Sequence, residues 1–216
     1  MKKKERAVLA LNGCLLGTKE EYLDLLGEEE ALFIAADGGA LLFEKIGISP
    51  DIIIGDFDSL SIEKMDYYLS SGIEVIKYPV KKDETDGELA VNYCLENGLR
   101  ELFIIGSQGG RIDQQLANIF LLEYAWKQGI TALIKEPKLE IGIPGEKKSF
   151  YNCEGQTLSL ITLSDEVKGI TVTGCRYSLV DDSLSRCRTR GISNTIVEEI
   201  AEIVVREGTL LYIKTE

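Results

Sequence analysis

Asp56 and Asp58 are alternate residues that follow the apolar run Ile52-Ile53-Ile54 and a glycine, Gly55. Two carboxylates spaced this way at a strand end can reach one hard cation. Magnesium takes oxygen ligands, keeps several waters and needs only one or two carboxylates beside substrate phosphates. A second acidic island, Lys82-Asp83-Glu84-Thr85-Asp86, and a third, Gly109-Gly110-Arg111-Ile112-Asp113, also stand where an apolar run gives way to a loop or helix. One such island alone reads as a solvated loop. Three together, with glycines and an arginine among them, point to a metal and phosphate site in which Asp86 completes the set begun by Asp56 and Asp58. The stretch Gly106-Ser107-Gln108-Gly109-Gly110-Arg111 offers backbone amides and a guanidinium to an anion. It is neither a Walker loop nor a G-x-G-x-x-G fingerprint. Asn12-Gly13 and Asp37-Gly38-Gly39 add two more glycine-bearing loops, each of which reads equally well as an ordinary tight turn. Ser59 reads as the cap of the helix that follows.

These loops need strands to carry them. Up to about residue 136, short apolar runs (Ala7–Leu11, Leu32–Ala35, Ile52–Ile54, Glu74–Ile76, Leu102–Ile105, Ala132–Ile134) alternate with the amphipathic stretches Glu20–Leu26, Ala40–Ile46, Ile62–Leu69, Asp86–Glu96 and Ile112–Lys127. Continuous apolar runs mark strands buried on both faces, as in a parallel sheet between helices. The expected fold is a doubly wound α/β domain with a mostly parallel sheet, whose carboxyl-end loops lie side by side. Thr85 followed by Glu88 forms a capping box, and Asp86 falls in the first helical turn near the positive end of the dipole. In the last helix Ile112, Leu116, Ile119 and Phe120 make the apolar stripe, which leaves Asp113 free to face a site. Past Pro137 the pattern changes to the β-rich pieces Leu158–Thr162, Val167–Thr173, Ile196–Val205 and Thr209–Lys214, punctuated by turn residues. That spacing predicts a small antiparallel β-sandwich or barrel, although Ile196–Val205 also fits a short helix. The expected division is an α/β domain over 1–136 and a smaller all-β sandwich over 137–216.

The chain has 216 residues, 44% of them hydrophobic, enough for two modest cores. Its 36 acidic residues exceed its 24 basic ones, for a formal charge of −12. Such a charge repels nucleic acid and anionic membrane, and no segregated basic patch offsets it. An acidic protein that handles phosphates must bring in cations, which favours a divalent metal. Five cysteines without a C-x-x-C pair read as reduced, buried thiols of a cytoplasmic protein, and no apolar run approaches the roughly 18 residues of a membrane span. Histidine is absent, which removes His-based triads, zinc–imidazole sites and phosphohistidine chemistry.

Ala36-Asp37-Gly38-Gly39-Ala40, Pro50 to Ser59, Lys82 to Asp86, Gly109 to Asp113 and Ala117-Asn118 resemble, in order and spacing, the motifs of the thiamine pyrophosphokinase family. Tyr177-Ser178-Leu179 and Gly191-Ile192-Ser193-Asn194 are similar to its late motifs. The resemblance runs over most of the chain and is weakest in Lys135–Gln156. It implies magnesium-dependent transfer of a diphosphate group from ATP to the hydroxyl of thiamine, giving thiamine diphosphate and AMP. It further implies an α/β catalytic domain that binds ATP and metal, a β-sandwich that binds thiamine, and a homodimer with active sites between subunits. Carried over by position, Asp56, Asp58 and Asp86 resemble the metal ligands, with Asp37 in the same acidic cleft. Asn12, Lys82, Thr85, Gly109, Gly110, Arg111 and Asp113 resemble contacts to ATP or its diphosphate. Ser193 and Asn194 resemble thiamine contacts, and Tyr177 stands where the family places an aromatic ring against thiamine. An electron-rich face there attracts the permanent thiazolium cation by about 0.5–2 kcal/mol. The chain departs from the family at Gln114, where histidine is common, and at Gly87, where a bulkier apolar residue is usual. Gln114 keeps hydrogen bonding but not titration, so a proton acceptor is sought among carboxylates such as Asp37 or Asp113.

Two other readings of the same residues remain open at this point. Asp56-Phe57-Asp58 after an apolar strand resembles phosphatases that form an aspartyl-phosphate, though Leu60 stands where those expect Thr or Val. A degenerate thiamine-binding module would bind thiamine without releasing AMP.

Overall fold

The apolar runs of the first 137 residues become six strands because Ile, Val, Leu and Ala alternate sides while both sides are covered. The computed structural model describes residues 4–27, 30–57, 61–79 and 83–216; Asp58, Ser59 and Lys82 lie outside the described residues. The chain divides into two compact units, Met1–Pro137 and Lys138–Glu216.

In the first unit the elements run β1 (Arg6–Ala10), α1 (Lys19–Leu26), β2 (Ala31–Ala36), α2 (Gly39–Ile46), β3 (Ile52–Gly55), α3 (Ile62–Ser70), β4 (Glu74–Lys77), α4 (Asp86–Glu96), β5 (Glu101–Ile105), α5 (Ile112–Lys127) and β6 (Thr131–Glu136). The strands lie in the order β6-β5-β1-β2-β3-β4, and every adjacent pair is parallel. Val8, Ala10, Ala35, Ile53 and Ile105 form a core on one face with Tyr22 and Leu26 of α1 and Leu42, Phe43 and Ile46 of α2. Their neighbours Ala7, Leu9, Ile34, Ile54, Leu102 and Ile104 point the other way and are equally buried. On that side α4 lies on β1, β2 and β3, and α5 lies on β6. This is the doubly wound arrangement expected from the continuous apolar runs.

One local expectation is overturned. Ile112, Leu116 and Phe120 of α5 are 73%, 52% and 49% exposed, and the helix instead buries Leu121, Leu122 and Ala125. The helix is apolar on two sides, so periodicity alone offers two candidate stripes, and burial begins only at Leu121.

The second unit is all antiparallel. β7 (Leu139–Gly142), β9 (Thr157–Thr162), β12 (Asn194–Thr195) and β14 (Leu210–Thr215) form the order β12-β9-β14-β7. β8 (Lys147–Tyr151), β10 (Glu166–Thr173), β11 (Leu179–Ser185) and β13 (Ile200–Val204) form β11-β10-β13-β8. Phe150 of β8 meets Tyr212 of β14 edge to face at 5.2 Å between ring centres, which ties the two sheets together. The segment that also fitted a helix is strand β13, preceded by a bridge from Ile196 to Cys175. The polar strands β8 and β11 carry too few apolar residues to be read from pattern. All five cysteines are unpaired, but only Cys94 and Cys175 are buried; Cys14 and Cys187 are exposed. Among the described residues no helix is long and apolar enough to cross a membrane.

Candidate active site

β1 lies between β2 and β5, so the chain winds one way from β1 to β4 and then returns to place β5 and β6 on the other side. The crevice beyond the carboxyl ends of β1 and β5 is the switch point at which open α/β sheets take ligands. A cavity of about 660 Å3 opens there. Asn12 and Gly13 reach it from β1, Asp37 from β2, Asp56 from β3, and Glu84, Thr85 and Asp86 from the start of α4. Gly109, Gly110, Arg111 and Gln114 close it from the β5–α5 connection.

The loops after β1 and β5 are laced together. Leu11 donates its N–H to the Ile105 carbonyl at 2.9 Å, and Cys14 donates to the Gln108 carbonyl at 2.7 Å. Gly13 permits this approach, since a Cβ there would stand 2.1 Å from the Gly106 carbonyl oxygen. Gly109 has φ +92°, a conformation side chains avoid, and a Cβ on it would press on the Cys14 Sγ at 2.5 Å. Asn118 of α5 holds the same loop from the other side by donating its Nδ2 to the Ser107 carbonyl at 2.9 Å.

Asp37 and Phe57 take left-handed backbone, with φ of 45° and 67°, and both are buried. Such conformations cost about 1–3 kcal/mol each and cluster at functional sites. The Asp37 N–H bonds the Ile54 carbonyl at 2.9 Å, which joins the β2 turn to the strand that presents Asp56. Thr85 caps α4, its Oγ1 accepting the Glu88 N–H at 3.2 Å, and so sets Asp86 in the first turn. Asp113 does not line the cavity. Its carboxylate takes a two-point ion pair from Arg111 at 3.0 and 2.5 Å. That hydrogen bonding holds Asp113 below the usual carboxylate range and pushes Arg111 further up. Glu84 also lines the cavity; only its membership of the second island hinted at it.

Among the described residues no three acidic or cysteine side chains converge as a ready-made metal cage. Asp56 and Asp86 nevertheless line one cavity, and a pair of hard oxygen donors beside a phosphate-binding loop fits magnesium. In the second unit Asn194 accepts the Tyr177 N–H on Oδ1 at 3.0 Å and donates Nδ2 to the Tyr177 carbonyl at 2.7 Å. Both ends of that amide therefore hold the backbone of Tyr177, a residue that is 68% exposed. Ser193, at φ 58°, donates its N–H to the Ser159 Oγ at 3.0 Å.

Residues 23–134 match the catalytic domain of thiamin pyrophosphokinase, and residues 138–210 match the thiamin pyrophosphokinase vitamin B1 binding domain. A thiamine pyrophosphokinase of Bacillus subtilis is 29% identical over 203 residues, covering 92% of this chain and 95% of that protein. Thiamine pyrophosphokinase 1 of Oryza sativa is 28% identical, covering 91% and 82% respectively. The crystal structure of a Bacillus subtilis thiamine pyrophosphokinase superposes with a TM-score of 0.84 at 26% identity, over 97% of this chain and 98% of that one. With both domain families matched in order over most of its length, the chain belongs to the thiamine pyrophosphokinase family.

Proposed function

We propose that this chain transfers a diphosphate group from ATP to the hydroxyl of thiamine, giving thiamine diphosphate and AMP, with magnesium. The observation that carries this reading is the single cavity in which Asp37, Asp56 and Asp86 face Gly109, Gly110 and Arg111. It offers carboxylates for a cation on one side and amides with a guanidinium for phosphate on the other. In this reading Met1–Pro137 binds ATP and metal, and Lys138–Glu216 binds thiamine through Tyr177, Ser193 and Asn194. Asp56 and Asp86, with Asp58, would hold magnesium, which would neutralise phosphate charge. Asn12, Lys82, Thr85, Gly109, Gly110 and Arg111 hold the nucleotide.

The thiamine hydroxyl oxygen attacks the β-phosphorus in line; the bond from that phosphorus to the α–β bridging oxygen breaks, and AMP leaves with the electron pair. Arg111 and the loop amides stabilise the charge that builds on the transferred group. Asp113 is a poor proton acceptor because Arg111 depresses it, and Asp37, inside the cavity, is the better placed carboxylate. Positioning supplies most of the rate, as in phosphoryl transfer generally. Tyr177 keeps an open ring for the thiazolium, with Asn194 fixing its backbone. A homodimer with active sites between subunits accords with the open apolar face of α5. Incubation with ATP, magnesium and thiamine tests the activity: AMP appearing in step with thiamine diphosphate supports it. ADP in place of AMP, or no thiamine dependence, overturns it.

A further inference from the structure

Glu136 ends β6 and is 1% exposed, a burial that a carboxylate tolerates only when donors surround it. They do. Its Oε1 accepts the Ser107 N–H at 3.0 Å and the Ser107 hydroxyl at 3.4 Å, and its Oε2 accepts the Tyr22 hydroxyl at 2.5 Å. The Tyr22 oxygen in turn accepts the Leu16 N–H at 3.1 Å. One buried side chain therefore holds the loop after β5 through Ser107 and the loop after β1 through Tyr22 and Leu16. The sheet order β6-β5-β1 explains why: three adjacent strands end together, and Glu136 sits at the outermost of the three ends.

We propose that Glu136 is a positioning residue for the nucleotide, fixing the β5–α5 connection so that Gly109, Gly110 and Arg111 face the polyphosphate. The proposal rests on the nucleotide site read above. It also divides the six-residue stretch from Gly106 to Arg111 into two parts. Gly106 and Ser107 also line the cavity, but their amides are turned to Glu136, so the amides of the Gly109–Arg111 part are the ones kept for the ligand. Burial pushes the Glu136 carboxyl up while Tyr22 and the Ser107 and Gly106 amides pull it back, which is the balance expected of an anion buried among donors. Tyr22 stands 114 residues away in sequence, and neither residue reaches the cavity itself.

The test is calorimetric titration of the full chain with magnesium α,β-methylene-ATP, which cannot be cleaved at the reacting bond, beside steady-state KM values for thiamine. Glu136→Ala and Tyr22→Phe are expected to weaken nucleotide binding about tenfold, the loss typical of removing a supporting partner behind a ligand contact. The thiamine KM should stay within about twofold. Glu136→Gln keeps a carbonyl oxygen for the Ser107 amide and is expected to recover most of the affinity lost in Glu136→Ala. Should Glu136→Ala fail to fold, Tyr22→Phe and Glu136→Gln carry the comparison. Unchanged nucleotide affinity in Tyr22→Phe and in folded Glu136 variants overturns the proposal, as does an equal loss for nucleotide and thiamine. The binding readout stands apart from turnover: wild-type chain that binds nucleotide without forming AMP would overturn the activity and leave Glu136 still scored.

Discussion

Asp56 and Asp86 illustrate how much a residue's neighbours in sequence can say. Each follows a strand or opens a helix, and the parallel sheet brings them to one cavity although 30 positions separate them. Asp56→Asn or Asp86→Asn should lower thiamine-dependent AMP release by about 100-fold or more, as expected when charge stabilisation is removed from a phosphoryl-type transition state. A melting temperature within about 2 °C of wild type would separate lost chemistry from lost fold. Tyr177 allows a finer test. Replacing it by Phe keeps the ring face and should leave the thiamine KM nearly unchanged, whereas Tyr177→Ala should raise it about 2- to 30-fold, the range of a cation–π contact. Equal effects of the two changes would assign Tyr177 a packing role instead. Asp113 shows the limit of such reading. Its place two residues after Arg111 looks like a second catalytic carboxylate, yet that same spacing lets the two close on each other. Glu136 was illegible for the opposite reason, since nothing local marks a glutamate at a strand end as buried when its partner is Tyr22.

At the scale of elements, α4 and α5 differ in how openly the sequence declared them. The N-cap at Thr85 and the acidic first turn of α4 are local signals, written within four residues. The buried face of α5 is a tertiary choice between two apolar stripes, and it went to Leu121, Leu122 and Ala125. The rejected stripe, Ile112, Leu116 and Phe120, begins beside Arg111 at the mouth of the cavity. Apolar groups grouped on one helix face favour covering by a partner. If a second copy covers this face, Phe120→Glu should shift sedimentation from dimer toward monomer at micromolar concentration while circular dichroism stays native. An unchanged sedimentation coefficient would remove α5 from the interface. Strands β8 and β11 are hard to read from pattern because a small sandwich exposes half of each strand: β8 buries only Phe150 and β11 only Leu184, and β11 even turns Val180 outward, 80% exposed, which breaks the apolar-in, polar-out alternation.

Across the whole molecule charge is divided unevenly. Met1–Pro137 carries 14 basic and 24 acidic residues, net −10, and Lys138–Glu216 carries 10 and 12, net −2. In the proposed function the unit that takes the polyanionic substrate is thus the more negative one, so a need for cations there would belong to the entire unit and not to two aspartates alone. The absence of histidine has an equally global effect. After correction for the ionisation of ATP, kcat/KM for thiamine should be level between about pH 6 and 7.5, because no side chain has its ordinary pKa there. Burial holds the Glu136 carboxyl above its ordinary range, against the pull of its donors. A raised folded pKa means that the folded chain binds this proton more tightly than the unfolded chain does, so the contribution to stability is full at low pH and declines as pH rises through that pKa. An acid limb of kcat/KM between about pH 6 and 7.5 in the wild type would contradict the level profile, and its loss in Glu136→Gln would assign it to that carboxyl. The thiols divide as unevenly as the charges. Burial pushes Cys94 up to about 12 and Cys175 up to about 11, leaving both inert at neutral pH, while Cys14 is exposed and touches Gly109. In a Cys153→Ser, Cys187→Ser background, the alkylation rate of Cys14 becomes a built-in footprint of the bound nucleotide: slowed when the cavity is filled, restored when it empties, and readable by mass without any label designed into the chain.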